Sequence, residues 1–417
     1  VTGLSRRALL GAAGGLAAAA LAGCGERPGA GPVKVGVLHS LTGSVAISEA
    51  PINDATLMAI DEVNAAGGLL GRRLDPIVVD GRSDWPAFAA AIERLITVDK
   101  VAVVFGCYTS ASRRTVVPIV ERHDTLLVYP TFYEGLELSP NILYTGACPN
   151  QFITPAMRWF FDNRGKSFFL AGSDYVFPHA TNAVIRDQLG QLGAKICGEE
   201  YLLLGETRVE PVIKEILRTR PEVIVSTVVG DTNIPFFRAL RSAGITPKVI
   251  PTVSVVINEI ELPSLDPRQM AGDYVGLNYF QSVPSAENQR FVRDFQARFG
   301  ADRVIGDPME AAYFGVHLWA QAVRSAESLD TRLVREALRG QRFRAPSGTV
   351  YVDEVNLHTW KKARIGQIRP DGQLSIVWTS EAPIHPVPYA VYRTRQQWDE
   401  MLASMYAGWG NGWARPA

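Results

Sequence analysis

The chain has 417 residues, with 42 acidic and 42 basic side chains and 47% hydrophobic content. That length and apolar fraction support folded globular structure, and the length suggests two domains. Zero formal charge argues against a nucleic-acid surface, because phosphate binding needs a basic excess, and it leaves a neutral ligand open.

The first 23 residues read as an export signal. Arg6 and Arg7 supply the positive region, and Leu9 to Leu21 is a weakly apolar run too short to span a membrane comfortably. Leu21-Ala22-Gly23-Cys24 resembles the bacterial lipobox, in which the Cys is lipidated and becomes the new N-terminus. The alternative is an ordinary cleaved signal with an incidental Cys. The paired arginines resemble the twin-arginine export signal in part. Residues 24–32 read as a linker.

The spacing then predicts alternating strands and helices. Strand 33–38 leads through a polar loop (His39–Ser44) to a helix over 52–64, capped by Gly67-Gly68. Strand 74–80 and helix 85–97 follow. The central stretch 101–137 reads as strand (101–105), loop, helix (110–122), strand (126–129) and loop. Strand 141–144 completes a doubly wound parallel pattern. The scheme then restarts: helix 155–161, strand 167–171, helix 179–190, strand 198–203, helix 209–219, strand 223–228, helix 234–243, strand 249–253. Residues 277–281 read as a return connection, followed by helices 287–299, 309–326 and 331–338. Short strands at 349–352, 363–368 and 374–377 precede a last helix over 398–407.

In open α/β sheets, ligands bind outside the carboxyl ends of the strands. Two such ends carry Gly106-Cys107-Tyr108-Thr109-Ser110 and Tyr129-Pro130-Thr131-Phe132-Tyr133. They offer hydroxyls, aromatic faces and helix-start amides without a charged nucleophile, which suits holding a small polar molecule rather than reacting with it. No Ser-His-Asp order or paired-carboxylate context supports an enzyme. The six histidines share no metal-ligand spacing, and no cofactor motif is present. Cys107, Cys148 and Cys197 lack CxxC spacing, although Cys107 and Cys148 could approach each other.

Several segments resemble the type I periplasmic substrate-binding proteins, specifically the urea and short-chain amide branch. They are Val35-Gly-Val-Leu-His-Ser-Leu-Thr-Gly43, Asn64-Ala-Ala-Gly-Gly68, Gly106-Cys-Tyr-Thr-Ser110, Tyr133-Glu-Gly135, Ser139-Pro-Asn-Ile142, Gly172-Ser-Asp-Tyr175, Val225-Ser-Thr-Val228, Asn278-Tyr-Phe280 and Asp307-Pro-Met-Glu-Ala-Ala-Tyr313. The resemblance implies two Rossmann-like lobes joined by three crossovers, with a ligand in the cleft that is handed to an ABC permease and its ATPase. The expected division is 33–148 with 278–346 for the first lobe, 149–277 with 347–400 for the second, and 401–417 as a tail. The implied ligand is a small neutral amide such as urea, acetamide or formamide. The implied place is the periplasm or the outer face of the cytoplasmic membrane, with a lipid anchor on Cys24. A periplasmic amide sensor and a branched-chain amino acid receptor are the alternatives.

By the same resemblance, ligand contacts fall at Tyr108, Thr109, Ser110, Tyr129 and Thr131 from the first lobe. Tyr175 and Phe177 face them, with Ser254, Asp231 and Glu310 as further candidates. Each also has a purely structural reading. Thr109, Ser110 and Asp231 could cap helices, Tyr129 could pack at the core edge, and Glu310 could be a structural partner at a helix start. The one acid in the first-lobe loops, Glu134, is expected to point away from the cleft.

Overall fold

The structure, a computed structural model, describes residues 31–416, so the export signal, the linker before Gly31 and Cys24 lie outside the described residues. Strands β1 (Val33–His39), β2 (Leu74–Asp80), β3 (Val104–Gly106), β4 (Leu127–Tyr129) and β5 (Ile142–Tyr144) form one sheet in the order β2-β1-β3-β4-β5. All of its pairings are parallel. Helices cover both faces, which is why these strands read as near-continuous apolar runs. Helix α1 (Ala46–Ala65) packs on one face, and α2 (Trp85–Arg94) and α3 (Ser110–Arg122) on the other.

The second sheet repeats this winding. Helix α4 (Ile153–Asn163) leads into β6 (Ser167–Ser173), α5 (Val176–Gln191), β7 (Lys195–Leu202), α6 (Glu210–Thr219), β8 (Val223–Thr227), α7 (Asn233–Ser242) and β9 (Thr252–Ser254). The short α8 (Pro267–Met270) then precedes β10 (Tyr274–Leu277). Its parallel part runs β7-β6-β8-β9-β10, the same order as the first sheet. In both sheets the strand order therefore reverses beside the first strand of the half. The crevices at those switch points lie at the ends of β1 and β3 in one sheet and of β6 and β8 in the other.

Helices α9 (Ala286–Phe299), α10 (Asp307–Ala326) and α11 (Thr331–Leu338) return to the first half, where Phe314, Leu318 and Trp319 of α10 share a core with Val35 and Val37. Strands β11 (Arg342–Ala345), β12 (Gly348–Val352) and β13 (Thr359–Trp360) form a small antiparallel sheet. Val350, Val352 and Leu357 join that same first-half core, so residues 348–360 pack with the first lobe rather than with the second, where the sequence division placed them. Their apolar side chains cover the α10 face, and no periodicity signals which sheet such a short strand will cover. Strands β14 (Arg364–Ile368) and β15 (Leu374–Thr379) then extend the second sheet antiparallel at its edge, and α12 (Arg395–Gly408) closes the chain.

The chain passes between the halves after β5, after β10 and before β14. Amide side chains tie the three passages together. Asn278 Nδ2 donates to the carbonyls of Gln151 (2.9 Å) and Lys362 (2.8 Å), and Gln151 Nε2 donates to that of Thr359 (2.9 Å). Asp307 accepts from the Asn278 and Tyr279 amides at 3.0 and 2.8 Å. Cys107, Cys148 and Cys197 are free thiols, so the two buried cysteines are not bridged.

Helix α1 begins six residues before the predicted start, with Pro51 inside it. Its first turns carry buried Ser48 and Glu49, which break the apolar periodicity that marked 52–64. The predicted helix over 85–97 ends at Arg94 and gives way to a π turn, Leu95–Asp99, closed by Lys100 in the left-handed region (φ 57°).

Candidate functional site

The end of β3 turns sharply. Cys107 adopts φ 63°, a left-handed conformation that costs a residue with a Cβ roughly 1–2 kcal/mol, and its amide donates to the Leu38 carbonyl (2.9 Å). Beyond this turn Tyr108, Thr109 and Ser110 are all buried. Thr109 is the N-cap of α3, its Oγ1 accepting from the Ser112 amide at 3.0 Å. The loop after β4 is held close to the β5 end, since a Cβ on Gly146 would lie 1.9 Å from the Thr131 carbonyl oxygen.

A largely buried charge network underlies both loops, with Arg113 and Glu134 fully buried. Arg113 donates to Glu137 Oε1 (2.8 Å), Glu134 Oε1 (3.1 Å) and Ser110 Oγ (3.1 Å). Arg114 donates to Glu134 Oε1 (2.9 Å), and Ser110 donates to the other Glu134 oxygen. Burial works against ionising Glu134, but the two guanidinium groups and the Ser110 hydroxyl outweigh it and hold its carboxyl below the ordinary range. Both oxygens of Glu134 are taken up inside the protein, because α3 presents two cations and a hydroxyl to it. The Arg113 guanidinium also lies over the rings of Tyr133 (4.4 Å) and Tyr129 (4.9 Å).

Tyr129 is part of this scaffold. Its hydroxyl donates to the Tyr108 carbonyl at 2.7 Å, and its ring meets Tyr133 and Tyr144 edge to face. On the opposite side, Phe177 tilts against Phe132 (6.0 Å) and Tyr175 (6.2 Å), so Phe132 and Phe177 make an apolar contact between the halves. A second contact between them is the Asp231 amide donating to the Ser44 carbonyl (3.1 Å). This approach requires a small residue at Gly230 (φ 66°), whose added Cβ would meet the Ser44 oxygen at 2.4 Å.

Among the buried polar side chains that keep an atom without a protein partner are Tyr108 and Thr131 by their hydroxyls, Ser48 by Oγ, Glu49 by Oε2 and Glu261 by Oε1, and Glu259 and Glu310 do so as well by Oε2. Ser48 lies close enough to Tyr108 and Glu261 to influence both, yet outside hydrogen-bond geometry with either. Burial pushes the Glu261 carboxyl up to about 7 and the Tyr108 phenol well above its usual range. An unpaired buried polar atom is costly, so such a set can exchange hydrogen bonds with a polar ligand.

The structure thus brings together Tyr108, Thr109, Ser110, Thr131, Tyr175 and Phe177. Three other candidates do different work. Ser254 Oγ accepts from the Val256 and Ile257 amides (3.1 and 2.9 Å) and shapes its own turn. Asp231 is exposed at the edge of the contact with Ser44. Glu310 lies near the crossovers, accepting from the Ser347 amide (3.1 Å) and hydroxyl (2.7 Å), and burial raises its carboxyl. Ser48, Glu49 and Glu261 were missed. Two acids, Glu259 and Glu261, inside the apolar run from Val253 to Leu262 were the available signal, since an acid in such a run must be buried or turned to solvent.

The C-terminal segment lies along the same edge. The Val176 amide donates to the Trp413 carbonyl (3.0 Å), and the Arg415 amide donates to that of Asp174 (3.1 Å), so residues 413–415 run antiparallel to the turn holding Tyr175. Arg415 pairs with the Asp174 carboxylate (3.2 Å), and the Trp413 ring lies under the Arg114 guanidinium (4.9 Å). A strap anchored on the second half therefore touches α3 of the first.

The periplasmic binding protein domain family matches residues 33–395. The chain belongs to this family. The solved structure of a solute-binding protein of an ABC transporter from Rhodopseudomonas palustris HaA2, in complex with p-hydroxybenzoic acid, superposes with a TM-score of 0.77 at 21% identity, covering 86% of this chain and 99% of that one. An amino acid ABC transporter substrate-binding protein from Pseudomonas fluorescens Pf-5 gives 0.74 at 18% identity, covering 88% and 99%. Among curated proteins, a leucine-, isoleucine-, valine-, threonine- and alanine-binding protein from Pseudomonas aeruginosa is 23% identical over 344 residues, 77% of this chain and 86% of that protein. A limonene hydroxylase from Geobacillus stearothermophilus is 38% identical over 118 residues, 28% of this chain and only 22% of that protein. These likenesses fit the periplasmic binding protein type I fold, with mixed α/β lobes built on parallel sheets. Membership of this family implies export to the periplasm. No helix among the described residues is long and apolar enough to cross a membrane.

Proposed function

We propose that this periplasmic binding protein captures a small neutral amide, such as urea, acetamide or formamide, and delivers it to the permease and ATPase of an ABC importer. The observation that carries the reading is the charge balance beside Tyr108 and Thr131. Arg113 and Arg114 are already matched by Glu134 and Glu137, so a ligand carboxylate would enter without a matching cation from α3. The unpaired Tyr108 and Thr131 hydroxyls can donate to an amide carbonyl. Phe132, Tyr175 and Phe177 supply flat walls.

A second reading, an amino acid ligand, is favoured by the unpaired carboxyl oxygens of Glu49 and Glu261, which suit an ammonium group, and by the names of the relatives. Anchoring through a lipid on Cys24 belongs to the same proposal. A thermal-shift panel separates the ligand classes, because selective binding to the folded state raises the melting temperature. The proposal expects a rise with at least one of the three amides and none with leucine, valine or 4-hydroxybenzoate. A rise confined to the amino acids or the aromatic acid overturns it.

A further inference from the structure

We propose that Glu261, reaching from the second half to Ser48 of α1, forms the subsite that takes the N–H groups of the cleft ligand and so determines its specificity. This rests on the amide reading above. Glu261 lies in the turn beyond β9, where its Oε2 accepts from the Asn258 amide at 2.9 Å. That bond fixes the carboxyl and leaves Oε1 unpaired at a position only 2% exposed. Ser48, 1% exposed, stands on the other side with an unpaired hydroxyl, and the unpaired Tyr108 hydroxyl lies against it. Glu49, fully buried next in sequence, has one oxygen 3.4 Å from His39 Nδ1 and the other unpaired.

The chemistry of this set is directional. Ionised carboxylate oxygens only accept, a phenol preferentially donates, and a serine hydroxyl does either. A ligand among them is met by acceptors at Glu49 and Glu261 and by a donor at Tyr108. A primary amide matches that polarity, with N–H groups toward the acids and its carbonyl toward the phenol. Because Ser48 and Glu49 come from one half and Glu261 from the other, the acceptor set is complete only when the halves are together. Recognition of the N–H groups is thereby coupled to closure.

Calorimetry with urea, acetamide and formamide on the wild type, Glu261→Gln and Ser48→Ala tests this. Glu261→Gln keeps the size of the side chain but places an NH2 group where acceptors are needed. Ser48→Ala removes a hydroxyl that lies beside Tyr108 and Glu261, and its unfolding midpoint, measured alongside, separates an effect on the fold from one on the ligand. The expected result is about tenfold weaker binding of the preferred amide in each variant, corresponding to about 1.4 kcal/mol, with unchanged circular dichroism. If Glu261→Gln does not fold, Ser48→Ala decides alone. Wild-type binding of an amide with affinities within twofold in the folded variants overturns this inference and leaves the amide reading standing. Absence of binding of all three amides to the wild type overturns both.

Discussion

Replacing Glu134 by Gln probes the network that holds both ligand loops. The carboxylate is fully buried and accepts from Arg113 (3.1 Å), Arg114 (2.9 Å) and Ser110. Gln retains one acceptor oxygen and turns an NH2 group either toward two guanidinium groups or toward the Ser110 hydroxyl. Removing one partner of a buried ion pair costs about 3–5 kcal/mol, because the remaining charge stays buried and under-matched. Glu137 still pairs with Arg113 at 2.8 Å, which places the expected loss near the lower end, about 3 kcal/mol. Guanidinium chloride unfolding followed by circular dichroism measures this, and buried pairs are screened little by the denaturant's ionic strength. Urea is unsuitable as the denaturant because it is also a candidate ligand. A loss below about 1 kcal/mol would refute the view that these ion pairs organise the loops, since a surface pair contributes no more than that.

Thr131→Val removes a buried hydroxyl without a protein partner, so it should weaken amide binding about tenfold, by about 1.4 kcal/mol, with little change in stability; equal affinities in calorimetry exclude Thr131 from the site. Ser110→Ala should instead lower stability by about 1.5–3 kcal/mol, the range for hydrogen bonds to charged groups, and unfolding midpoints check it. Trp413→Ala breaks the contact of the strap with Arg114, worth about 1 kcal/mol, so the apparent ligand Kd should rise about fivefold, and an unchanged Kd separates the strap from closure. Stability should fall as pH rises from about 6.5 to 8. Burial raises the folded-state carboxyls of Glu259 to about 8 and Glu261 to about 7, while the unfolded chain has already released those protons. Thermal melts across that range check the slope, which Glu259→Gln should flatten.

The strands were legible because both sheets are covered on two faces and their residues form apolar runs, as in Phe168–Ala171 and Val223–Val225. Strand order was not legible, and the order is what places the switch point beside the β1 end, where Ser48 and Glu49 lie. The α1 start was hidden by its buried Ser48 and Glu49, since a polar buried turn carries no helical hydrophobic stripe. Among the strand-end hydroxyls, those of Tyr108 and Thr131 are left without a protein partner. At Thr109 and Ser254 the local backbone amides captured the side chain instead. The partners of Glu134, Arg113 and Arg114, were not legible, because they lie some twenty residues earlier on a helix whose facing cannot be read from spacing.

The central claim is that the cleft selects an uncharged ligand, and acetamide against acetate tests it most directly, because the two have nearly the same size and differ chiefly in charge. Isothermal titration of the mature protein at neutral pH should give saturable binding with acetamide and no detectable heat with acetate. Binding of acetate as tight as or tighter than that of acetamide would contradict the account.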